Sequence, residues 1–200
     1  MSESAIRKWD RAAKTLDLNE RGEELRYGVF KKALFAKATG RTLLVAAGTG
    51  IDFKHFPPDI EVTAIDFSPK MLEMARQKVE DCPAPLTLVA ADVTDLDYPD
   101  GYFDTVVTSC TFRSVPDPVK GLREVRRVLR DGGRLLMFEH VRPSTLHLGR
   151  LMDLMNPLVR KVGPEINRRT ADNVRAAGFR LVREFNVYLD MVKLFEAEKA

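Results

Sequence analysis

With two cysteines, three histidines and one tryptophan in 200 residues, the chain lacks the material for several kinds of protein. Cys82 and Cys110 are too few for a disulfide-stapled scaffold, and the Cys and His positions are too widely spaced to read as zinc ligands, so a metal-free protein is expected. No apolar run approaches the roughly 20 residues that a membrane-spanning helix needs. No charged leader with an apolar core opens the chain, and the cytoplasm is therefore the expected compartment. Neither sign of charge dominates, with 32 Lys and Arg against 29 Asp and Glu. The excess is local: Arg142 to Arg183 holds nine basic residues and three acidic ones. Aromatic residues are not interleaved there, which speaks against nucleic acid and leaves a solvated face or contact with an anionic membrane surface.

What is present is a core: 44% of the residues are hydrophobic, enough for one domain over 1–200. Strand-like runs recur at Thr42–Ala46, Glu61–Ile65, Leu86–Ala90, Thr105–Ser109 and Arg134–Glu139, mostly separated by helix-like segments. Such alternation predicts a doubly wound, mostly parallel α/β sheet. Ser68 and Pro69 read as the cap and first residue of a helix whose inward stripe is Met71, Leu72, Ala75 and Val79. A second helix over Val119–Arg130 buries Leu122, Val125, Val128 and Leu129, turns its arginines to water, and is stopped by Asp131-Gly132-Gly133. Ser4–Ala38 is expected to be helical, with Trp9, Leu16, Leu25, Tyr27, Val29, Phe30, Leu34 and Phe35 available for burial. Leu146–Val162 reads as an amphipathic helix interrupted at Pro157, followed by a helix near Asn167–Ala177 and strands around Phe179–Phe185 and Val187–Leu194.

In such a sheet, ligands lie beyond the carboxyl ends of the strands. The residues there are Ala47-Gly48-Thr49-Gly50, Asp66-Phe67, Ala91-Asp92-Val93, Cys110 to Arg113, and His140. They suit an adenosine ligand with an amino-acid tail: glycine backbone for the tail, Asp66 for ribose hydroxyls, Asp92 for the adenine amino group, Phe67 and Val93 for the ring. A dinucleotide would want a third glycine where Phe53 stands. His140 has an ordinary pKa near neutrality and is the candidate proton acceptor. Arg113 is expected in an acceptor pocket, where it would pair with a phosphate or carboxylate. His55 and His147 are expected at the surface, and Cys110 under the cofactor.

The ordered set GTG, AID-SP-ML, ADVTDL, DTVVTS and LREVRRVLRDGGRLLMFEH resembles the class I S-adenosylmethionine-dependent methyltransferases. Within them, DFKHFPP, FRSVPDPVKGLREVRRVL, FEHVRP and MDLMNPLVRKVGPEINRRTADNVRAAGF are similar to small bacterial phospholipid or quinone methyltransferases and animal thiol methyltransferases. The resemblance implies a seven-stranded Rossmann-like core over 41–140, a helical lid over 1–40 and an acceptor cap over 141–200. It implies S-adenosyl-L-methionine held by Ala46, Ala47, Gly48, Thr49, Gly50, Asp66, Phe67, Met71, Asp92, Val93 and Cys110, with Trp9, Arg113, Met152 and Met155 toward the acceptor. Three departures stand out: Leu44 where the family has an acid that helps hold the cofactor's ammonium group, Ala46 at the first glycine position, and Leu16 where relatives have tyrosine. Phospholipid amine methylation is the most specific reading; thiol or quinone methylation, an inactive cofactor-binding module and, more remotely, a nicotinamide oxidoreductase remain open.

Overall fold

The computed structural model describes residues 3–18, 20–162 and 164–199. Its framework is a seven-stranded sheet: β1 (Arg41–Val45), β2 (Glu61–Asp66), β3 (Leu86–Ala90), β4 (Phe103–Ser109), β5 (Leu129–His140), β6 (Phe179–Tyr188) and β7 (Val192–Lys199), in the order β3-β2-β1-β4-β5-β7-β6. The first five strands pair in parallel, and β7 runs antiparallel between β5 and β6. The chain winds outward from β1 to β3 and then returns to β4 on the other side of β1. That reversal splays the connections and opens a crevice at the strand ends.

Among the described residues the α-helices are α1 (Glu3–Leu18), α2 (Glu20–Phe35), α3 (Pro69–Arg76), α4 (Pro118–Val128), α5 (Leu146–Val162) and α6 (Thr170–Ala176). Because successive side chains of a strand point to opposite faces, β1 feeds two cores. Leu43 and Val45 join Ile65, Val106 and Met137 against Leu122, Val125 and Val128 of α4. Leu44 points the other way, to Ala64, Val107 and Phe138 and to Tyr27, Leu34 and Phe35 of α2. Each buried side chain of this size contributes about 1.5–3 kcal/mol.

Local chemistry sets the helix starts. Ser68 accepts the Met71 N–H at 3.1 Å and Asp117 accepts the Lys120 N–H at 2.9 Å, each followed by a proline whose fixed φ suits a first helical turn. Elsewhere the sequence expectations need correction. The opening helical stretch is two helices, and Leu25 and Val29 are 90% and 82% exposed. The buried stripe of α2 is instead Tyr27, Lys31, Leu34 and Phe35; Leu16 has its side chain outside the described residues. The fifth strand begins directly after α4, with Leu129 opposite Phe103, and absorbs Gly132 (φ 69°) through an irregularity before Thr105 meets Arg134. Arg127 is not a solvated bystander: it donates to the carbonyls of Leu96 and Tyr98 and pairs with Glu124 and Asp100. Pro157 lies inside α5 without ending it, and the last strand is Val192–Lys199, reached by a turn at Leu189 and Asp190 with positive φ. Among the described residues, no helix is long and apolar enough to cross a membrane.

Candidate active site

The crevice at the β1/β4 reversal is a cavity with about 1100 Å³ of free space counting its open mouth. Its floor is the β1 turn. Gly48 (φ 55°) and Gly50 (φ 82°) take left-handed backbone, and a Cβ on Gly50 would come within 2.9 Å of the Phe53 ring and 3.2 Å of the Ala75 backbone. Phe53, fully buried, fills the place of a third glycine, so the loop packs on α3 instead of opening toward a pyrophosphate. Ala46 (φ 61°) and Cys110 (φ 55°) are also left-handed, and both line the cavity; strain of this kind concentrates at functional sites.

Of the expected cofactor residues, Ala46, Ala47, Gly48, Thr49, Asp66, Phe67, Met71, Val93 and Cys110 line this one cavity. Gly50 shapes the turn from behind. Asp92 stands outside the lining, its Oδ1 accepting the Thr94 N–H and O–H, each at 2.9 Å. Asp66 accepts the Gly48 N–H and the Ser68 N–H, each at 2.9 Å, which fixes its carboxylate at the cavity edge. Burial pushes its pKa up against those two hydrogen bonds. Nearby, Asp10 of α1 accepts from Ser68 Oγ and from the Lys70 N–H at the start of α3, and Asp17 pairs with Lys78 at 2.6 Å. These contacts moor α1 so that Trp9 reaches the cavity wall.

Toward the acceptor side, Arg113, Trp9 and His140 line the cavity, whereas Met152 and Met155 on α5 do not; Met155 is 46% exposed. His140 Nδ1 lies 3.2 Å from Cys110 Sγ. Burial and the nearby Arg113 and Lys31 charges lower the imidazole to about 4, contrary to the expectation of a base near neutrality. Burial raises the Cys110 thiol to about 12. A protonated thiol and a neutral imidazole thus share one hydrogen bond, Sγ to Nδ1. Next to it, Glu139 is fully buried: its Oε1 accepts from Thr108 Oγ1, Thr111 N–H and Phe112 N–H, Oε2 has no partner, and burial raises its pKa to about 7. His55, expected at the surface, is buried against Phe35, with Nε2 3.3 Å from Glu24. His147 is exposed.

Sequence reasoning missed Glu23 and Asp52, which line the cavity, and Lys31, which pairs with both and is 2% exposed. The available signal was a lysine on the apolar stripe of α2. Among the described residues, no three His, Cys, Asp or Glu side chains are arranged to hold a metal ion.

Comparison with known proteins fits this geometry. Residues 43–137 match a family model described as a methyltransferase domain. The ubiquinone/menaquinone biosynthesis C-methyltransferase UbiE of Serratia proteamaculans is 32% identical over 185 residues, covering 80% of this chain and 74% of that protein. The chain belongs to the class I S-adenosylmethionine-dependent methyltransferases. A phosphatidylethanolamine N-methyltransferase of Cereibacter sphaeroides is 41% identical over 103 residues, 50% of this chain and 51% of that one. The chain spans between 47% and 59% of the length of the relatives matched first. A methyltransferase structure from Aquifex aeolicus superposes with a TM-score of 0.72 at 18% identity, covering 94% of this chain and 98% of that one, and shows the shared fold.

The residues present fit the family's cofactor. S-adenosylmethionine supplies an already activated methyl group on a sulfonium. In this cavity Asp66 would accept from paired ribose hydroxyls, Phe67, Met71, Ala91 and Val93 would offer apolar surface to a ring, and the Ala47–Gly48 backbone would meet the tail.

Proposed function

We propose that this methyltransferase acts on a hydrophobic, lipid-type acceptor carrying an oxygen anion close to the methylated atom, with a hydroxylated quinol ring as the first reading. One observation carries it. Arg113 lines a largely apolar cavity, its buried Nε has no hydrogen-bond partner, and among the described residues no carboxylate lies within ion-pair distance of its guanidinium. His140 stands beside it on the same wall, and with Nδ1 taken by Cys110 its Nε2–H is left as a second donor. An arginine near a phenol lowers its pKa by about 1–3 units from about 10. A fraction of the quinol would thus enter as the anion, its phenol proton going to solvent, and the proton on the methylated ring carbon would leave to water after transfer. An alkylammonium would still have to lose a proton, and a histidine near 4 is a poor acceptor for it. The quinone methyltransferases among the relatives support the same reading.

Phospholipid amine methylation is the second reading. It is favoured by Arg113 as a phosphate partner and by α5, which exposes Leu151, Leu154, Met155 and Leu158 beside Arg150. The basic excess of 142–183 supports it less than the sequence suggested, because Arg142, Arg168, Arg175, Arg180 and Arg183 each pair with a carboxylate. In both readings 1–40 is the helical lid, 41–140 the cofactor core and 141–200 the acceptor cap of one unit, with methyl transfer driven by alignment and exclusion of water.

The deciding assay supplies demethylated menaquinol, phosphatidylethanolamine in mixed micelles and a soluble alkyl thiol in parallel. Turnover of the quinol alone supports the first reading, and of the phospholipid alone the second. Turnover of the thiol alone overturns both, as does cofactor binding with no turnover of any acceptor.

A further inference from the structure

One part of the cavity wall is acidic. Asp52 and Glu23 both line it, while the cation that pairs with them, Lys31, lies behind the wall and 2% exposed, over the Phe138 ring. Lys31 Nζ is 2.9 Å from Asp52 Oδ1 and also pairs with Glu23. Two carboxylates sharing one lysine leave one negative charge over. His55, 4.0 Å from Asp52, does not neutralise it, because burial lowers its pKa and keeps it uncharged near neutrality. Lys54 pairs instead with Glu24 at 3.2 Å. The Lys31 charge and a hydrogen bond from Ser109 hold Asp52 ionised although burial opposes it. The cavity therefore carries a fixed negative charge two residues beyond the Gly48–Gly50 turn.

On the same side of the sheet another charge is missing. Leu44 occupies the position at which the resembling family carries an acid, and its side chain packs in the same layer as Tyr27 and Phe138, the layer into which Lys31 reaches. A carboxylate at residue 44 would face this same side of the sheet, since alternation along a strand fixes the face. We infer that Asp52, with Glu23 as the weaker partner, replaces the missing strand acid and binds the α-ammonium group of the cofactor's amino-acid tail. The carboxylate faces the cavity and its buried lysine holds it in place, so the tail meets an ion already positioned. This rests on the assignment of the family's cofactor to the cavity.

Calorimetric binding of two ligands to the full chain tests it. S-adenosylhomocysteine carries the amino-acid tail, and 5′-methylthioadenosine has the same nucleoside without it. The Asp52→Asn protein is expected to lose about tenfold or more in affinity for S-adenosylhomocysteine, a charge-assisted contact of about 1.4 kcal/mol, and to bind methylthioadenosine within about twofold of the original chain. Glu23→Gln is expected to lose about threefold for the tailed ligand alone. Unchanged affinity of Asp52→Asn for S-adenosylhomocysteine overturns the inference. Equal loss of both ligands also overturns it, because damage to the pocket as a whole does not discriminate the tail. If the original chain binds neither nucleoside, the cofactor assignment itself falls, and the inference with it.

Discussion

Two stretches of the cavity wall present different charge, although each sets inward-facing ionisable groups against a hidden one. On one, Asp52 after the β1 turn and Glu23 of α2 face inward and their lysine is hidden; on the other, Arg113 and His140 face inward and the buried acid, Glu139, is held by Thr108, Thr111 and Phe112. The hidden partner decides the difference. Lys31 pulls the Asp52 carboxyl below its usual range, so that stretch keeps its charge. Glu139 receives three hydrogen bonds on one oxygen and no ion pair, and burial carries it up to about 7. A carboxyl near 7 is about half ionised at neutrality, so Glu139 offsets the Arg113 charge only in part. The cavity wall thus presents a paired carboxylate group on one stretch and an unpaired arginine on the other, and the proposed binding of the cofactor's ammonium group and of an anionic acceptor rests on that contrast.

The largest effect expected from breaking this contrast is at Arg113. Arg113→Met is expected to lower kcat/KM for the acceptor by about 10–100-fold, the cost of a charge-assisted contact to an anionic oxygen of about 1.5–3 kcal/mol, while the dissociation constant of S-adenosylhomocysteine stays unchanged. A loss shared by cofactor binding would place Arg113 on the wrong stretch of the wall. The Asp52→Asn measurement described above is the complementary break, about tenfold and confined to the cofactor tail.

Two pH experiments sharpen the contrast. Glu139 has its folded pKa raised to about 7, so its contribution to stability is complete below the unfolded carboxyl range and is lost as pH rises through about 7. The melting temperature of Glu139→Gln relative to the original chain should therefore climb between pH 5 and pH 8; a flat difference would mean that the acid is ionised throughout. His140 has the opposite sign. Its folded pKa is lowered to about 4, so the stability it contributes is present above the unfolded value of 6.5 and declines as pH falls through about 4. His140→Gln should flatten that acid limb of the melting curve, and the rate profile of the original chain should show no histidine break near 6.5.

The smallest expected effect lies in the backbone. Ala46 holds φ 61° at the place where a glycine would rest without strain. Ala46→Gly is expected to stabilise the chain by about 0.5–1 kcal/mol, the left-handed strain less the entropy a glycine costs. At this chain length that is a melting shift of roughly 1–4 °C. Destabilisation would show that the left-handed turn is held by packing at no cost.

The framework was readable in the chain because it rests on short-range rules. The apolar run of β1, the Ser68-Pro69 and Asp117-Pro118 helix starts, and the position of Asp66 at the end of β2 all follow from local periodicity and capping, and the structure has them within a residue or two. The choice between stripes on α2 was not readable. Leu25 and Val29 form one helical row, and Tyr27, Lys31, Leu34 and Phe35 another; only docking on Phe138 and the β1 layer selects the second, because a stripe containing a lysine is buried only where acids wait for it. The burial of His55 and the pairing of Cys110 with His140 were equally hidden, since 30 residues separate the members of that pair.

By itself the sequence determined the order of strands and helices, the glycine turn and the acid that ends β2, because each depends on neighbours a few residues away. Tertiary structure alone decided the charge on the two stretches of the cavity wall. Desolvation and ion pairing depend on which side chains meet across the sheet, and Lys31 with Asp52, Cys110 with His140, and Thr108 with Glu139 meet only once the chain has folded.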